Sequence, residues 1–259
     1  MYFIDVQGTL ISDADKSPIE GSIAFIERLN RDSIPYMIIT NNTKKPSLEF
    51  YEYLQSIGFR FSFEHYLDPL MLLESRVPKD AVAAYGAPAF LKTLESMGYS
   101  INFTNPKTLL VAIKEDFSAD EYAQMIEILL NGANLVGMHE TSIYAKNGKR
   151  YPGVGAILKM LEFATSSSYE VVGKPSSAFY AQALALLQKQ ESSASYEKIT
   201  MISDDVKGDL GGAKELGMET LFVTSGKYKS AQEIVPLLED ALKPDAIYAN
   251  MQEILEKRF

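Results

Sequence analysis

The chain begins Met1-Tyr-Phe-Ile-Asp-Val-Gln-Gly-Thr-Leu10, a short apolar run followed at once by an acidic residue and then a glycine. The run from Tyr2 to Ile4 is rich in residues that favour β-strands. Gly8 allows a tight turn after it. Open α/β sheets bind ligands at the carboxyl ends of their strands, so Asp5 stands where a functional carboxylate is expected. The alternative is that Asp5 only ends a strand, and the rest of the chain decides between the two.

Composition limits the classes of protein to consider. The chain has 259 residues, with 25 Lys and Arg against 34 Asp and Glu, a net charge of −9. This acidic balance argues against a nucleic-acid partner, which would require a basic surface. Cysteine is absent and the two histidines are far apart in the sequence, which argues against thiolate nucleophiles and against zinc sites. No run is long enough to span a membrane and no basic, apolar leader precedes the first strand, so we expect a cytoplasmic protein with no membrane partner.

Apolar runs typical of strands alternate along the chain with segments in which apolar residues recur at helical spacing. This alternation predicts an α/β fold with a Rossmann-like, doubly wound, mostly parallel sheet. Residues 80–168 show a strand–helix alternation of their own. We therefore predict a core domain formed by residues 1–79 and 169–259, with a second α/β domain, residues 80–168, inserted into it. This assignment places the strand at 169–172 in the core and interprets the polar stretch 144–151 as an exposed loop.

Distinctive polar side chains follow four of the predicted strands: Asp5, Thr40 with Asn41, Lys174, and Asp204 with Asp205 and Asp209. Because the carboxyl ends of parallel strands meet at one edge of a sheet, we expect these groups to converge. Together they suit phosphoryl transfer. A carboxylate can attack phosphorus, a hard cation held by oxygen ligands can offset the negative charge, and lysine, hydroxyl and amide groups can bind the phosphoryl oxygens. Each motif alone is also compatible with a polar turn, a helix cap or a solvated surface charge.

The order of these motifs resembles that of the haloacid dehalogenase superfamily of phosphatases: Asp-x-x-Gly-Thr, Thr-Asn-Asn, Gly-Lys-Pro-Ser and Asp-Asp-x-x-x-Asp. The forms Thr40-Asn-Asn-Thr43 and Val172-Gly-Lys-Pro-Ser176 are similar to subfamily IIA, the NagD-like and p-nitrophenyl phosphatase-like group. The resemblance covers essentially the whole chain. It implies that residues 80–168 are an α/β cap of the C2a type, inserted between the second and third motifs of the core.

The resemblance also implies a Mg²⁺-dependent phosphatase that hydrolyses a small phosphorylated metabolite through an aspartyl-phosphate intermediate. Asp5 would be the nucleophile and a metal ligand. The backbone carbonyl of Gln7 and the carboxylate of Asp204 would be further metal ligands, and Asp209 would support the metal site. The phosphoryl group would be bound by Thr40, Asn41 and Lys174, and Lys174 would also keep Asp5 ionised. Relatives with such caps often form homodimers, but the sequence leaves the oligomeric state open.

Gln7 is a departure from the family pattern, because relatives usually have an aspartate there that acts as general acid and base. An amide cannot donate a proton to a leaving oxygen or accept one from water. Gln7 should therefore lower the rate of phosphate ester hydrolysis roughly 10²- to 10⁴-fold, which corresponds to about 3–5 kcal/mol of activation free energy. We therefore expect slow or retuned turnover, which favours substrates whose leaving group needs no proton.

The cap motif departs as well, with His139-Glu140-Thr141 where many relatives have Asn-Pro-Asp. His139 could supply the missing proton, or it could be an ordinary loop histidine. A second function remains open, a non-catalytic protein that binds a phosphorylated ligand on a haloacid dehalogenase-like fold. A receiver-type signalling domain is discounted, because such domains are about half this length and carry their acidic pair before the phosphorylated aspartate.

Overall fold

The computed structural model describes residues 1–146 and 149–259. Its strands, in chain order, are β1 (Tyr2–Ile4), β2 (Tyr36–Ile39), β3 (Tyr66–Leu67), β4 (Val82–Tyr85), β5 (Thr108–Val111), β6 (Asn134–Gly137), β7 (Ile143–Lys146), β8 (Lys149–Pro152), β9 (Tyr169–Val171), β10 (Thr200–Ser203), β11 (Glu219–Val223) and β12 (Ala246–Tyr248). Its α-helices are α1 (Ser22–Arg31), α2 (Ser47–Ser56), α3 (Pro69–Arg76), α4 (Pro88–Ser96), α5 (Ala119–Leu130), α6 (Val154–Thr165), α7 (Ser177–Gln190), α8 (Asp209–Glu215) and α9 (Met251–Arg258). Within this described part of the chain, no helix is long and apolar enough to cross a membrane.

The first compact unit comprises residues 1–40, 48–67 and 177–259. Its sheet has the strand order β12-β11-β10-β1-β2-β3, and every neighbouring pair is parallel. Strand β1 therefore lies between β2 and β10. Because these three strands run in the same direction, the residues that follow them lie along one edge of the sheet. Those residues are Asp5, Thr40 and Asp204.

Both faces of this sheet are covered by helices. Ile4, Ile38 and Ile202 belong to one apolar cluster, which also includes buried residues of α1 and α9. On the other face, the ring of Phe3 stacks on that of Tyr180 in α7, with 6.4 Å between centroids. Consecutive strand residues point to opposite faces, so a strand that is apolar throughout is stable only when both faces are covered. The predicted doubly wound α/β architecture is confirmed.

The second unit comprises residues 41–47 and 68–176. Its sheet has the order β4-β5-β6-β9, and all of its neighbouring strands are parallel. An apolar cluster joins Leu109 and Val111 of β5 to residues of α5 and α6, among them Met125 and Leu158. Helix α5 begins at a capping box in which Ser118 and Glu121 bond to each other's backbone N–H groups, so two of the donors at the helix start are satisfied.

The structure corrects the domain boundaries expected from the sequence and the assignment of one loop. Residues 169–172 were assigned to the core, but β9 pairs with β6 in the sheet of the second unit, and that unit continues to residue 176 and also includes residues 41–47 and 68–79. A three-residue strand carries too little pattern to show which of two parallel sheets it joins. The stretch 144–151, expected as a loop, lies mostly in the antiparallel ribbon of β7 and β8, and its residues 147 and 148 are outside the described residues.

Candidate active site

Asp5 is held at the carboxyl end of β1 by backbone and side-chain bonds. Its N–H donates to the carbonyl of Ile202 in β10 at 3.0 Å, which extends the parallel ladder by one residue. The hydroxyl of Thr9 donates to Asp5 Oδ2 at 3.3 Å and accepts from the N–H of Asp204 at 3.1 Å. Asp5 is only 5% exposed. One threonine hydroxyl therefore links the ends of β1 and β10.

Two glycines allow the backbone to approach the carboxylate of Asp204. Gly8 has φ +79°, and a Cβ there would lie 2.3 Å from Asp204 Oδ2. A Cβ on Gly226 would lie 2.0 Å from the same oxygen. Both distances are shorter than any real contact of a Cβ, so larger residues would displace the Asp204 carboxylate. The glycine expected to permit a turn after β1 thus also makes room for a second acid.

Asp204 is a buried acid close to other charges. Its Oδ2 accepts the backbone N–H of Lys227 at 2.6 Å. Burial raises the pKa of Asp204 well above its usual value; Lys227 opposes this shift, and the nearby carboxylate of Asp5 adds to it. Burial therefore disfavours the ionised form of Asp204 at this position.

Lys227 pairs with the neighbouring acid. Its Nζ lies 2.7 Å from Asp205 Oδ2, and both side chains are about 10% exposed. Burial lowers the pKa of Lys227, but the carboxylates of Asp205 and Asp204 outweigh burial and raise it above its usual value. Asp205 Oδ1 also accepts the N–H of Gly208 at 3.1 Å. These contacts of Asp205 fix the segment that follows β10.

Asp209 lies at the first residue of α8, where a carboxylate is favoured by the helix dipole. Its Oδ2 accepts the hydroxyl of Ser203 at 2.8 Å, and the same hydroxyl accepts the N–H of Asp205 at 3.0 Å. The hydroxyl of Tyr180 donates to the backbone carbonyl of Asp209 at 2.8 Å. These bonds fix the path of the chain between β10 and α8.

Gln7 and Thr40 are in direct contact. The Thr40 hydroxyl, at the end of β2, donates to Gln7 Oε1 at 2.7 Å. Gln7 is half-buried, and Thr40 is fully buried. The side chain at the position where the resemblance implies an acid/base aspartate is thus bonded to the hydroxyl that was expected to bind the phosphoryl group.

Asn41 and Lys174 lie together in the second unit. The N–H of Lys174 donates to Asn41 Oδ1 at 2.9 Å, and Asn41 Nδ2 donates to the carbonyl of Lys174 at 3.4 Å. Lys174 is 1% exposed, so it is not the solvated surface charge that was the alternative interpretation. A lysine buried to this degree is usually part of a site or of an ion-pair network.

His139 is buried in the same unit, 6% exposed. Its Nδ1 accepts the N–H of Thr141 at 3.4 Å, which favours the tautomer with the proton on Nε2. This bond holds the ring within its own loop. Both interpretations of His139 stay predictions: a replacement for the acid/base, or an ordinary loop histidine.

The acids of the first unit offer a suitable set of ligands for a hard cation. In the described residues, no group of three or more His, Asp or Glu side chains is arranged to hold a metal ion. The expected set needs only the carboxylates of Asp5 and Asp204, together with the backbone carbonyl of Gln7. All of these donors are oxygens, which Mg²⁺ prefers. Asp5 and Asp204 are buried carboxylates whose negative charge a cation would offset, so the residues present fit a divalent cation.

Comparisons with known proteins identify the family. Residues 2–100 match the family described as haloacid dehalogenase-like hydrolase, and residues 171–254 match a second one described as HAD-hydrolase-like. The chain belongs to the haloacid dehalogenase-like hydrolases. It is 29% identical over 234 residues to haloacid dehalogenase-like hydrolase domain-containing protein 2 of Bos taurus, covering 89% of this chain and 86% of that protein. It is 27% identical to phospholysine phosphohistidine inorganic pyrophosphate phosphatase of Mus musculus, covering 98% and 92%.

Solved structures confirm the expected α/β fold. The p-nitrophenyl phosphatase from Archaeoglobus fulgidus superposes with a TM-score of 0.80 at 20% identity, covering 98% of this chain and 97% of that one. NagD from E. coli K-12 superposes with a TM-score of 0.74 at 21% identity and the same coverage. We refer to the first unit below as the core and to the second as the cap.

The predicted site residues divide between the two units. The core contains Asp5, Gln7, Thr40, Asp204, Asp205 and Asp209, and the cap contains Asn41 and Lys174. Three residues that hold these groups were given no role from the sequence: Thr9, Ser203 and Lys227. Of these, Lys227 was the easiest to predict from the sequence. It lies in a polar segment just beyond the carboxyl end of β11, and ligands bind at the carboxyl ends of strands in parallel sheets.

Proposed function

We propose that this chain is a Mg²⁺-dependent phosphatase that acts on a small phosphorylated metabolite through an aspartyl-phosphate intermediate, with turnover slowed by Gln7. The observation that carries the proposal is the arrangement at the core sheet edge, where Thr9 links Asp5 to Asp204. Burying two linked carboxylates costs free energy, and an apolar pair would stabilise the fold better. Their presence is therefore better explained by function than by stability. The names of relatives, among them two phosphatases, support the same class.

The reaction begins with attack of an Asp5 carboxylate oxygen on phosphorus. A P–O bond forms to Asp5, the bond to the substrate's leaving oxygen breaks, and that oxygen departs with the electron pair. Thr40 and Lys174 are proposed to bind the phosphoryl group, and Lys174 to keep Asp5 ionised; the resemblance assigns Asn41 to the phosphoryl group as well. A bound Mg²⁺, held by Asp5, Asp204 and the carbonyl of Gln7 and supported by Asp209, would supply charge stabilisation of the phosphoryl oxygens.

Water then attacks the phosphorus of the aspartyl phosphate, which releases phosphate and regenerates Asp5. Both steps involve a proton: the leaving oxygen gains one and the attacking water loses one. The Gln7 side chain can neither donate the first proton nor accept the second, and its Oε1 already accepts the hydroxyl of Thr40. The p-nitrophenolate leaving group needs no proton, so the first step should be least affected with that substrate, and the intermediate should be long-lived.

A second function is favoured by the same contact. Because Gln7 occupies the hydroxyl of Thr40, the chain could retain a phosphorylated ligand without turning it over, as a non-catalytic binding protein. The cytoplasmic location and the homodimer stay predictions.

Steady-state hydrolysis of p-nitrophenyl phosphate separates the two functions. A phosphatase gives turnover in wild type that requires Mg²⁺, is removed by a chelator and is absent in Asp5→Asn. A binding protein gives equal background rates in wild type and Asp5→Asn, with phosphate binding detectable by calorimetry. Absence of both turnover and phosphate binding would reject both proposals.

A further inference from the structure

The side chain of Asn41 forms a clamp on the backbone of Lys174. Its Oδ1 accepts the Lys174 N–H at 2.9 Å, and its Nδ2 donates to the Lys174 carbonyl at 3.4 Å. The two groups of one carboxamide thus pair with both backbone groups of a single residue. These bonds direct the Asn41 side chain to the main chain of Lys174, whereas the resemblance assigns Asn41 to the phosphoryl group.

The opposite side of Lys174 is held by the cap sheet. The N–H of Glu140 donates to the Lys174 carbonyl at 3.2 Å, and the N–H of Gly173 donates to the carbonyl of Met138 at 2.9 Å. These bonds continue the pairing of β9 with β6 beyond the strands. The main chain of Lys174 is therefore fixed between the residues that follow β6 and the carboxamide of Asn41.

Gly173 makes this approach possible. A Cβ at Gly173 would lie 2.7 Å from Asn41 Oδ1, 2.6 Å from Pro69 Cγ and 2.7 Å from the carbonyl of Met138. The close fit of three different groups around one glycine shows that the clamp is built into the packing of the cap. A mobile surface contact would leave room for a side chain there.

The loop that carries Asn41 is itself anchored. Asn42 Nδ2 donates to the carbonyl of Lys45 at 2.8 Å and to Asp68 Oδ2 at 3.3 Å. The Oδ1 of Asp68 accepts the hydroxyl of Ser47 at 2.8 Å and the N–H of Met71 at the start of α3. Asp68 is fully buried. The two adjacent asparagines therefore do different work: Asn42 holds its own loop, and Asn41 reaches across to Lys174.

We infer that Asn41 is a positioning residue that sets the placement of Lys174, instead of binding the phosphoryl group through its own side chain. This inference rests on the proposed function for the role of Lys174 but not for the clamp itself. A lysine on a long flexible stem loses much conformational freedom when it is buried. Fixing the N–H and the carbonyl of Lys174 reduces the number of positions that its ammonium group can reach.

Chemical labelling tests the inference without relying on turnover. Acetic anhydride reacts with lysine amines, and mass spectrometry reports each lysine separately in one sample. Lys174 should react slowly in wild type and about tenfold faster in Asn41→Ala, which removes both hydrogen bonds of the clamp. Asn41→Asp keeps the acceptor for the Lys174 N–H and should restore much of the protection.

Two controls separate this effect from general loosening. Lys227 is the matched internal control, because it is a buried lysine of the core held by Asp205, and its reactivity should not change in Asn41→Ala. Asn102→Ala is the matched variant, because Asn102 is an exposed asparagine of the cap whose side-chain oxygen accepts a local N–H, that of Thr104. It should leave Lys174 unchanged. Faster labelling of both Lys174 and Lys227 in Asn41→Ala would overturn the inference, as would no change at Lys174.

Inorganic phosphate with Mg²⁺ supplies the functional readout. Phosphate should slow the labelling of Lys174 in wild type and protect it less in Asn41→Ala. Weaker protection without faster labelling in the absence of phosphate would show direct binding by Asn41 and overturn the positioning role. If phosphate fails to protect Lys174 in wild type, the proposed function fails, and faster labelling restricted to Lys174 in Asn41→Ala would still support the clamp.

Discussion

Gln7 Oε1 accepts the hydroxyl hydrogen of Thr40 at 2.7 Å, between the turn after β1 and the end of β2. This contact gives the glutamine a second consequence beyond the loss of an acid and base. A hydroxyl that donates to Gln7 is less available to a phosphoryl oxygen, since it has one hydrogen to donate. Both effects act against turnover.

Gln7→Asp should raise kcat for p-nitrophenyl phosphate hydrolysis by roughly 10²- to 10⁴-fold, because it restores a general acid and base. Gln7→Asn is the matched control, since its side chain has the same length as that of aspartate but cannot transfer protons. Steady-state kinetics with saturating Mg²⁺ measure both. Equal rates in the two variants would mean that proton transfer at this position does not limit the rate of hydrolysis.

The wild-type protein should depend strongly on the leaving group. An alkyl phosphate such as β-glycerophosphate releases an alkoxide that needs a proton, whereas p-nitrophenolate does not. We expect kcat/KM to be much lower for the alkyl ester in wild type and the difference to narrow in Gln7→Asp. Parallel measurement of kcat/KM for both substrates checks this. An unchanged ratio would assign the missing proton to another group, of which His139 is the first to examine.

Lys227 should be important for stability. Lys227→Met leaves the carboxylate of Asp205 buried without its cation, and loss of one partner of a buried pair typically costs about 3–5 kcal/mol. Urea unfolding at pH 7 measures the free energy. Lys243→Met is the matched control, because Lys243 and Asp240 form a pair at the surface, where such pairs contribute little. Adding Asp205→Asn to Lys227→Met should recover part of the loss, and the absence of any recovery would contradict the pairing.

His65 should make the stability depend on pH. Burial lowers its pKa below the usual 6.5, and Glu64 opposes this only in part. Its ring stands edge-on to Tyr36, with 4.7 Å between centroids, and its Nδ1 is buried without a hydrogen-bond partner among the described residues. The folded state thus favours neutral His65. The contribution of this preference to the free energy of unfolding is fully present above pH 6.5 and is lost as the pH falls through the folded-state pKa of His65.

Proton NMR can follow this titration, because the chain has only two histidines. The His65 signal should titrate below 6.5. Replacement by His65→Phe, which keeps an aromatic ring against Tyr36, should remove the corresponding part of the acid-induced loss of unfolding free energy. Titration of His65 at or above 6.5 would contradict the account.

The sequence predicted the features that depend on local pattern. The strand from Tyr2 to Ile4, the acid after it and the polar ends of β2 and β10 could be located because buried parallel strands are short apolar runs that end in polar turns. The convergence of Asp5, Thr40 and Asp204 followed from the direction of parallel strands alone, and the pairing of β1 with β2 and β10 confirms it.

Features that depend on contacts distant in sequence could not be predicted in this way. The assignment of β9 to the cap depends on its pairing with β6, which three residues do not encode. The bond between Gln7 and Thr40 joins positions 33 residues apart, and the bond between Asn41 and the Lys174 N–H joins positions 133 apart. Residue types could suggest that these groups have a function, but only the fold shows which of them hold one another.

The most direct measurement of the central claim is acid-quench mass spectrometry of the protein mixed with p-nitrophenyl phosphate and Mg²⁺. The account predicts a phosphorylated peptide containing Asp5, which accumulates in wild type because Gln7 slows attack by water, decays faster in Gln7→Asp and is absent in Asp5→Asn. An unphosphorylated Asp5 peptide in wild type, with no release of p-nitrophenol above the Asp5→Asn background, would contradict it.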